Sequence, residues 1–221
     1  DALDEFRARF GGPLSFHGAR IVAGGKAERW ETVKLALAAL PDDYRVYCGH
    51  EYTENNLRLF LTLLYQARHK IIITSPYFVP DESMLYAITS ATQRGVIVEL
   101  FVSEVGDQAL VYHAQRSYYE ALLEAGVTIW LYKAPTILHS KHFSIDDDVA
   151  VIGSSNMDMR SFSLNKEISL VVRGKSFVDQ MRAVEERYRA DSRQLTMDEW
   201  RKQGLWSTVL DNLARLTSAL Q

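Results

Sequence analysis

The chain has 221 residues, of which 47% are hydrophobic and 24% charged, a composition typical of a globular protein with one large core. Its formal net charge of −3 argues against strong nonspecific binding to nucleic acid, because neutralising phosphates requires a basic surface. The single cysteine, Cys48, excludes an intrachain disulfide and disfavours a cysteine-based metal site. No apolar run in the sequence reaches the ~18 residues of a transmembrane helix.

The first part of the chain differs from the rest. Glycine pairs at residues 11–12 and 24–25 break it into short pieces, with a helix predicted near residues 28–40 and a strand near 44–47. The start at Asp1 rather than at methionine suggests a fragment or a processed form. We therefore expect a small N-terminal appendage over residues 1–54 and a separate domain over residues 55–221.

From residue 54 onwards, apolar strands alternate with amphipathic helices. Two prolines, Pro76 and Pro80, predict a loop between them, because each disfavours helix at the preceding residue. The elements expected in this half are a helix over 54–68, a strand over 70–75, a helix over 81–94 ended by Gly95, a strand over 96–102, a helix over 108–124 and a strand over 127–132. This order indicates βαβ units.

The remainder of the chain is richer in strands. We predict strands over 142–145, 149–152 and 168–172, with a hairpin turn at the three consecutive aspartates 146–148, and closing helices over 176–189 and 208–220. The fold class expected from the whole pattern is α/β, with a mixed β-sheet flanked by helices on both faces.

One constellation carries chemical information. His139-Ser-Lys141 is followed after four residues by Asp146, and after six more by Gly153-Ser-Ser-Asn156. Six fixed positions of this kind arise by chance in a chain of this size with a probability of roughly 10⁻⁵ or less. The spacing therefore predicts a functional site.

The spacing also makes chemical sense. His139 and Lys141 are two residues apart in an extended segment, so their side chains point to the same side, whereas His142 faces the other. A turn at Asp146 returns the chain and brings Ser154 and Asn156 towards the same pocket. A nucleophile, a cation and neutral hydrogen-bond donors that meet at one point suit a phosphoryl group.

This pattern resembles the HKD motif of the phospholipase D superfamily. Further segments are similar to the C-terminal half of bacterial cardiolipin synthases, and the resemblance covers about three-quarters of the chain; these segments are TSPYFVPDE at 74–82, QRSYYEALLEAG at 115–126, IDDDVAVIGSSNMDMRS at 145–161 and RLTSAL at 215–220. A phospholipase D-like domain is the fold that this resemblance implies.

The resemblance also implies roles for the motif residues. His139 would attack a phosphodiester, giving a phosphohistidine, or would protonate the leaving alcohol. Lys141, Ser154 and Asn156 would stabilise charge on the phosphoryl oxygens. Asp146 belongs to the catalytic motif, more plausibly as an orienting carboxylate than as an acid or base. Glu167 would fix a histidine tautomer by hydrogen bonding.

The activity implied is phosphatidyl transfer or phosphodiester cleavage on a phospholipid such as phosphatidylglycerol, with no metal or other cofactor. Superfamily active sites use two HKD motifs, but no other histidine here has a lysine two residues later. A second HKD-bearing chain or a homodimer is therefore expected as partner. The resemblance also implies a membrane surface as partner and a peripheral position on the cytoplasmic side of a bacterial inner membrane, with no transmembrane segment in this chain.

Two alternatives stay open. The first is a single-motif homodimeric phosphodiesterase or nuclease, which the acidic balance disfavours for nucleic acid. The second is a catalytically silent fragment that binds a phosphorylated ligand. A weaker resemblance links residues 40–53, LPDDYRVYCGHEYT, to hydroxyacylglutathione hydrolase (glyoxalase II), in which the counterpart of His50 is a metal ligand. The HxHxDH cluster of that family is absent from the sequence, and one imidazole does not hold a catalytic metal.

Overall fold

The computed structural model describes residues 45–50, 53–163, 165 and 167–216. The chain divides into two compact units between residues 46 and 47, and almost all of the described residues belong to the second, residues 47–221. The helix expected over residues 28–40 and half of the glyoxalase-like segment, residues 40–44 and 51–52, lie outside the described residues. The domain boundary after residue 54 stays a prediction.

The described part of the chain alternates strands and helices as the sequence pattern predicts. The strands are β1 (Arg45–His50), β2 (Lys70–Thr74), β3 (Phe78–Val79), β4 (Ile97–Ser103), β5 (Thr128–Tyr132), β6 (His142–Ile145), β7 (Val149–Gly153), β8 (Met157–Asp158), β9 (Ile168–Arg173) and β10 (Ser192–Leu195). The helices are α1 (Thr53–Gln66), α2 (Glu82–Gln93), α3 (Ala109–Arg116), α4 (Tyr119–Glu124), α5 (Met159–Ser163), α6 (Lys175–Ala190), α7 (Met197–Trp200) and α8 (Leu205–Arg215).

Eight strands form one mixed sheet in the order β1-β9-β7-β6-β2-β4-β5-β10. Strands β2, β4 and β5 are parallel neighbours, as the βαβ pattern requires. Antiparallel strands β6, β7 and β9 continue the sheet on one side, and β10 pairs antiparallel with β5 on the other. The expected α/β fold with a mixed sheet is confirmed.

Both faces of the sheet are covered. The larger hydrophobic cluster lies under helices α1 to α5, and a smaller one, built on Ile72, Phe101 and Leu138, packs against Tyr188 of α6. Strand β6 contributes side chains to both faces of the sheet. Phe143 packs edge-on against Phe60 of α1 with ring centroids 4.9 Å apart, a pairing that contributes about 1 kcal/mol beyond the area it buries. The neighbouring residues of β6 face α6.

Two local expectations are wrong. The helix expected over 108–124 is interrupted between α3 and α4, where the amides of Ser117 and Tyr118 bond to carbonyls three residues back and the Ser117 hydroxyl donates to the Ala114 carbonyl at 2.6 Å. The loop expected between the two prolines contains β3, because Phe78 and Val79 pair in parallel with Met157 and Asp158. A partner distant in the chain overrides the local proline signal there.

The aspartate turn anchors the β6–β7 hairpin. Asp146 has a left-handed φ of 49°, which aspartate tolerates better than most residues. Its carboxylate accepts backbone N–H groups from Arg68 (3.1 Å), His69 (2.8 Å) and Lys70 (2.9 Å), which lead into β2. Burial alone raises the pKa of Asp146, but these backbone donors outweigh it and hold the pKa below its ordinary value.

We predict that Asp146→Ala lowers the free energy of unfolding by about 3 kcal/mol, because it removes charge-assisted hydrogen bonds and places alanine in a left-handed conformation. Asp146→Asn loses less, because asparagine accepts a hydrogen bond and tolerates that conformation. The exposed neighbour Asp147 supplies the control, since Asp147→Ala changes stability by no more than about 0.5 kcal/mol. Urea unfolding of the three variants measures these differences.

The depressed pKa of Asp146 also fixes the sign of a pH effect. The stabilisation is complete above the unfolded pKa, near 3.9, and is lost as the pH falls through the lower folded value. The stability difference between wild type and Asp146→Asn therefore shrinks in acid. A difference that stays constant down to pH 2 contradicts this role for the carboxylate.

Candidate active site

The motif lies at the carboxyl edge of the parallel strands. Strand β4 ends at Ser103, whose hydroxyl accepts the backbone N–H of Leu138 at 2.9 Å and so ties down the segment before His139. In the β2–β6 register, His142 stands opposite Thr74, the last residue of β2. The candidate residues therefore enter where β2 and β4 end, the edge at which α/β sheets bind ligands.

His139 and Lys141 lie side by side at this edge, as their spacing predicts. The Nζ atom of Lys141 is 3.1 Å from Nδ1 of His139 and 3.3 Å from the His139 carbonyl oxygen. His139 is exposed and Lys141 half-buried. Burial lowers the pKa of the Lys141 ammonium, and the nearby carboxylates of Glu167 and Asp158 act in the opposite direction. An imidazole and a partly desolvated cation thus share one opening.

Strand β7 brings the segment from Gly153 to Asn156 next to the Lys141 end of β6. The backbone N–H of Gly153 donates to the Lys141 carbonyl at 3.2 Å. A Cβ on Gly153 would lie 2.3 Å from the carbonyl oxygen of Ile168, so glycine is required where β7 and β9 meet. The N–H of Ser154 then donates to the same Ile168 carbonyl at 3.0 Å.

Glu167 collects the polar side chains at the end of β7. Its carboxylate accepts hydrogen bonds from the hydroxyls of Ser154 and Ser161 and from Nδ2 of Asn165. The Ser154 hydroxyl also accepts the N–H of Ile168 at 3.0 Å, so both its donor and its acceptor capacity are used within the protein. Among the described residues, no histidine hydrogen-bonds to Glu167, and the tautomer-fixing role expected for it stays a prediction.

Asp158 is a site residue that the sequence reasoning missed. It is 6% exposed and accepts the N–H of Ser161 at 2.6 Å and a hydrogen bond from the Asn156 side chain. Burial raises the pKa of Asp158 against these hydrogen bonds, and the Glu167 carboxylate raises it further. Asn156 keeps a second amide N–H, while its buried Oδ1 has no partner among the described residues.

Tyr77 stands at the rim of the same edge. Its hydroxyl donates to Asp107 Oδ1 at 2.8 Å and accepts from Nε2 of Gln108 at 3.1 Å. Burial and the hydrogen bond to Asp107 raise the pKa of Tyr77. Its neighbour Phe78 is fully buried in the core. The pairing of β3 with β8, which places Tyr77 near Asp158, could not be found from the local sequence.

Asp146 is not brought to this edge. It lies at the turn of the β6–β7 hairpin, whereas Lys141 and Ser154 lie at the open end, about 13 Å away along a four-residue strand. The structure thus pairs His139 with Lys141 and Ser154 with Glu167, hydrogen-bonds Asn156 to Asp158, and leaves Asp146 at the far end of the hairpin. In the described ranges, no three histidine, cysteine or acidic residues are placed to hold a metal ion.

Solved structures share this fold. Phosphatidylserine synthase of Haemophilus influenzae Rd KW20 superposes with a TM-score of 0.67 at 16% identity, over 82% of this chain and 49% of that chain. Nuc of Salmonella typhimurium, a phospholipase D family member, superposes with a TM-score of 0.62 at 19% identity, over 70% of this chain and 99% of that one. The fold is therefore that of the phospholipase D class.

Sequence similarity identifies the family to which the chain belongs. A family described as "Cardiolipin synthase, PLD-like domain" matches residues 60–188. Cardiolipin synthase A of Buchnera aphidicola is 39% identical over 160 residues, which make up 72% of this chain and 33% of that protein. The chain belongs to the cardiolipin synthase, PLD-like domain family. It spans about a third of the length of the curated relatives it matches. In the part of the chain that the structure describes, no helix has the length and apolar character to cross a bilayer.

The raised pKa of Asp158 gives a prediction for stability. Ionised Asp158 is disfavoured in the folded state, so its destabilising effect grows as the pH rises from about 3.9 through the folded pKa. Asp158→Asn keeps the acceptor for Ser161, and a turned Asn156 amide offers its unpartnered oxygen to the new amide. We therefore expect this variant to be more stable than wild type at pH 7.

Thermal unfolding at pH 7 and at pH 4 measures this effect. The advantage of Asp158→Asn shrinks towards pH 4, because the raised pKa lets the wild-type carboxyl take up its proton as the pH falls. Asp147→Asn, in the exposed turn, serves as the control and shows no such pH dependence. An advantage that grows towards pH 4 contradicts the assignment.

Proposed function

We propose that this chain supplies one half of the active site of a phosphatidyl transferase that makes cardiolipin from phosphatidylglycerol. The observation that carries the proposal is the close approach of His139 and Lys141 in a member of the cardiolipin synthase family. Lys141 and the second amide N–H of Asn156 contact the phosphoryl oxygens. Ser154 ties the loop through Glu167, and turning its hydroxyl towards the phosphate requires giving up that bond.

The reaction has two displacements. A histidine nitrogen attacks phosphorus, an N–P bond forms, and the P–O bond to glycerol breaks as glycerol takes a proton from a second histidine, which starts as an imidazolium and becomes neutral. The hydroxyl of another phosphatidylglycerol then attacks phosphorus and gives its proton to that second imidazole. The N–P bond breaks, cardiolipin leaves, and both histidines return to their starting states.

His139 fits either of these roles, with different requirements. An ammonium only donates, so Nδ1 of His139 accepts from Lys141 and a neutral ring carries its proton on Nε2. To protonate a leaving alcohol, the ring must instead be an imidazolium, and Lys141 must then turn away from Nδ1, which no longer accepts. For attack through Nε2, Lys141 must turn to the substrate phosphate and the ring proton must move to Nδ1.

A second imidazole must come from elsewhere, because the sequence holds one HKD motif. We propose a second HKD-bearing chain or a second copy of this chain as the partner. The substrate resides in a lipid bilayer, so the assembled site works at a membrane surface, and we propose the cytoplasmic face of a bacterial inner membrane. Asp146 acts in this proposal as the structural anchor of the motif rather than as an acid or base.

One observation favours a second candidate function. The fold shared with Nuc covers 99% of that chain, so a domain of this size can make up a whole protein of this class. A symmetric homodimer acting as a phosphodiesterase is therefore the alternative. The net charge of −3 disfavours nucleic acid as its substrate.

The test combines mass in solution with product analysis from phosphatidylglycerol vesicles. Wild type is compared with His139→Ala, alone and mixed with the N-terminal two-thirds of a cardiolipin synthase A relative. We expect cardiolipin and free glycerol in one of the two arms, and a rate lowered at least ~1,000-fold in His139→Ala. The exposed His69 provides the matched control, since His69→Ala keeps the wild-type rate.

The oligomeric state separates the two partner arrangements. A dimer that is active alone means that two copies of the motif form the site, and a monomer active only in the mixture means that this chain is half an enzyme. Cleavage of bis(4-nitrophenyl) phosphate without transfer to a lipid hydroxyl favours the phosphodiesterase. Absence of cardiolipin in both arms contradicts the proposed function.

A further inference from the structure

A buried polar cluster lies on the face of β6 that is turned away from the phosphate site. Glu185 of α6 is 0% exposed, and its carboxylate accepts the Ser144 hydroxyl at 2.6 Å and Nη1 of Arg182 at 2.9 Å. His142, 3% exposed, holds its Nε2 3.6 Å from the same carboxylate. The mechanism above uses none of these groups.

The cluster reaches the motif through one hydrogen bond. Ser140, between His139 and Lys141, places its hydroxyl oxygen 3.0 Å from Nδ1 of His142. Strand alternation puts Ser140, His142 and Ser144 on the α6 side, while His139 and Lys141 face the opening. Ser140, which lies between His139 and Lys141, is thus hydrogen-bonded on the α6 side of the segment.

The same helix holds the other end of the strand. Nη1 of Arg182 donates to the Ser144 hydroxyl at 2.8 Å, and Nη2 donates to the carbonyl oxygen of Asp146. Tyr188, one turn beyond Glu185, lays its ring against that of His142 with centroids 6.1 Å apart. Helix α6 therefore contacts β6 at its start, its middle and its terminal turn.

Burying an ion pair here is expensive compared with apolar packing, which often gives equal or greater stability. A buried carboxylate beside the motif strand therefore suggests a need for a defined geometry more than for stability. A neutral His142 that directs its Nε2 proton towards Glu185 has Nδ1 free to accept the Ser140 hydroxyl. The Ser140–His142 hydrogen bond then has one donor and one acceptor, and the Nε2 of His142 faces the Glu185 carboxylate at 3.6 Å, beyond hydrogen-bonding distance.

We infer that His142 and Glu185 are positioning residues, which orient the His139-Ser140-Lys141 segment through the Ser140 hydroxyl so that His139 and Lys141 reach the same phosphoryl group. This inference rests on the proposed function, since it concerns the same site. Neither residue touches the substrate. Their effect is to limit the rotation of the segment about its own axis.

The test uses inorganic phosphate as the probe and the 221-residue chain as the protein. Binding is followed by the NMR signals of the His139 ring, and thermal unfolding is measured in parallel. Ser140 is only half-buried, so Ser140→Ala removes the hydrogen bond without creating a core cavity. We expect it to weaken phosphate binding roughly three- to tenfold, as for the loss of one hydrogen bond, with little change in unfolding temperature.

Conservative variants separate positioning from general structure. Ser140→Thr keeps the hydroxyl and is expected to restore binding. His142→Asn keeps an amide near the Nδ1 position, whereas His142→Gln moves it towards Glu185, so Asn retains more binding than Gln. Unchanged binding in Ser140→Ala, or losses that follow unfolding temperature alone without rescue by threonine, overturns the inference.

Lys141→Ala distinguishes a failure of the inference from a failure of the proposed function. If wild type binds phosphate and Lys141→Ala does not, the site is established and the Ser140 and His142 variants decide the inference. If Lys141→Ala binds as well as wild type, or wild type does not bind, the proposed phosphate site is wrong and the inference falls with it.

Discussion

The carboxylate of Asp146, held by three successive backbone N–H groups, is the contact on which the rest of the site depends. It fixes the turn of the β6–β7 hairpin against the start of β2. From there the register runs without interruption until His142 stands opposite Thr74 and Gly153 meets Lys141. A slip of one residue would turn His139 and Lys141 to the opposite face. An anchor far from the chemistry therefore sets its geometry.

The charges around Lys141 bear on the proposed sharing of the site with a second motif. Lys141 is partly desolvated, and its neighbours Glu167 and Asp158 are acidic, so the motif cation lies near carboxylates. A phosphodiester brings one further negative charge, which Lys141 and the Asn156 amide alone compensate poorly. A second motif would add another cation and another imidazole. The electrostatics around Lys141 thus agree with the proposed sharing of the active site.

Much of the fold could be predicted from local patterns, because a run of β-branched residues favours a buried strand and a glycine marks the end of a helix. Strands β2, β4 and β5 and helix α2 lie within a residue or two of expectation. The motif also predicted which side chains meet, since alternation in a short extended segment leaves little freedom. Two of the failures depended on distant partners, namely the β3–β8 pairing and strand β10, for which no sequence signal was found. The break between α3 and α4 is instead a local one, at Ser117.

The same limit applies within the site. Spacing placed Ser154 at the correct edge, but its hydroxyl orientation depends on Glu167, thirteen residues away. Asp158 lies inside a segment similar to the family, yet its burial follows from the β3–β8 pairing and not from its neighbours in sequence. Features that depend on local backbone geometry could be predicted from the sequence, whereas hydrogen-bond networks that join several strands could not.

In the proposed site, His139, Lys141 and Asn156 surround a single phosphoryl group. The most direct measurement is the position of tungstate, a heavy phosphate mimic, located by anomalous diffraction from crystals of the chain. If these three side chains bind one phosphoryl group, a tungsten peak lies within hydrogen-bonding distance of Lys141 Nζ and the Asn156 amide, next to His139. A peak only elsewhere, such as beside Arg68 and Arg173 at the opposite end of the hairpin, would contradict it.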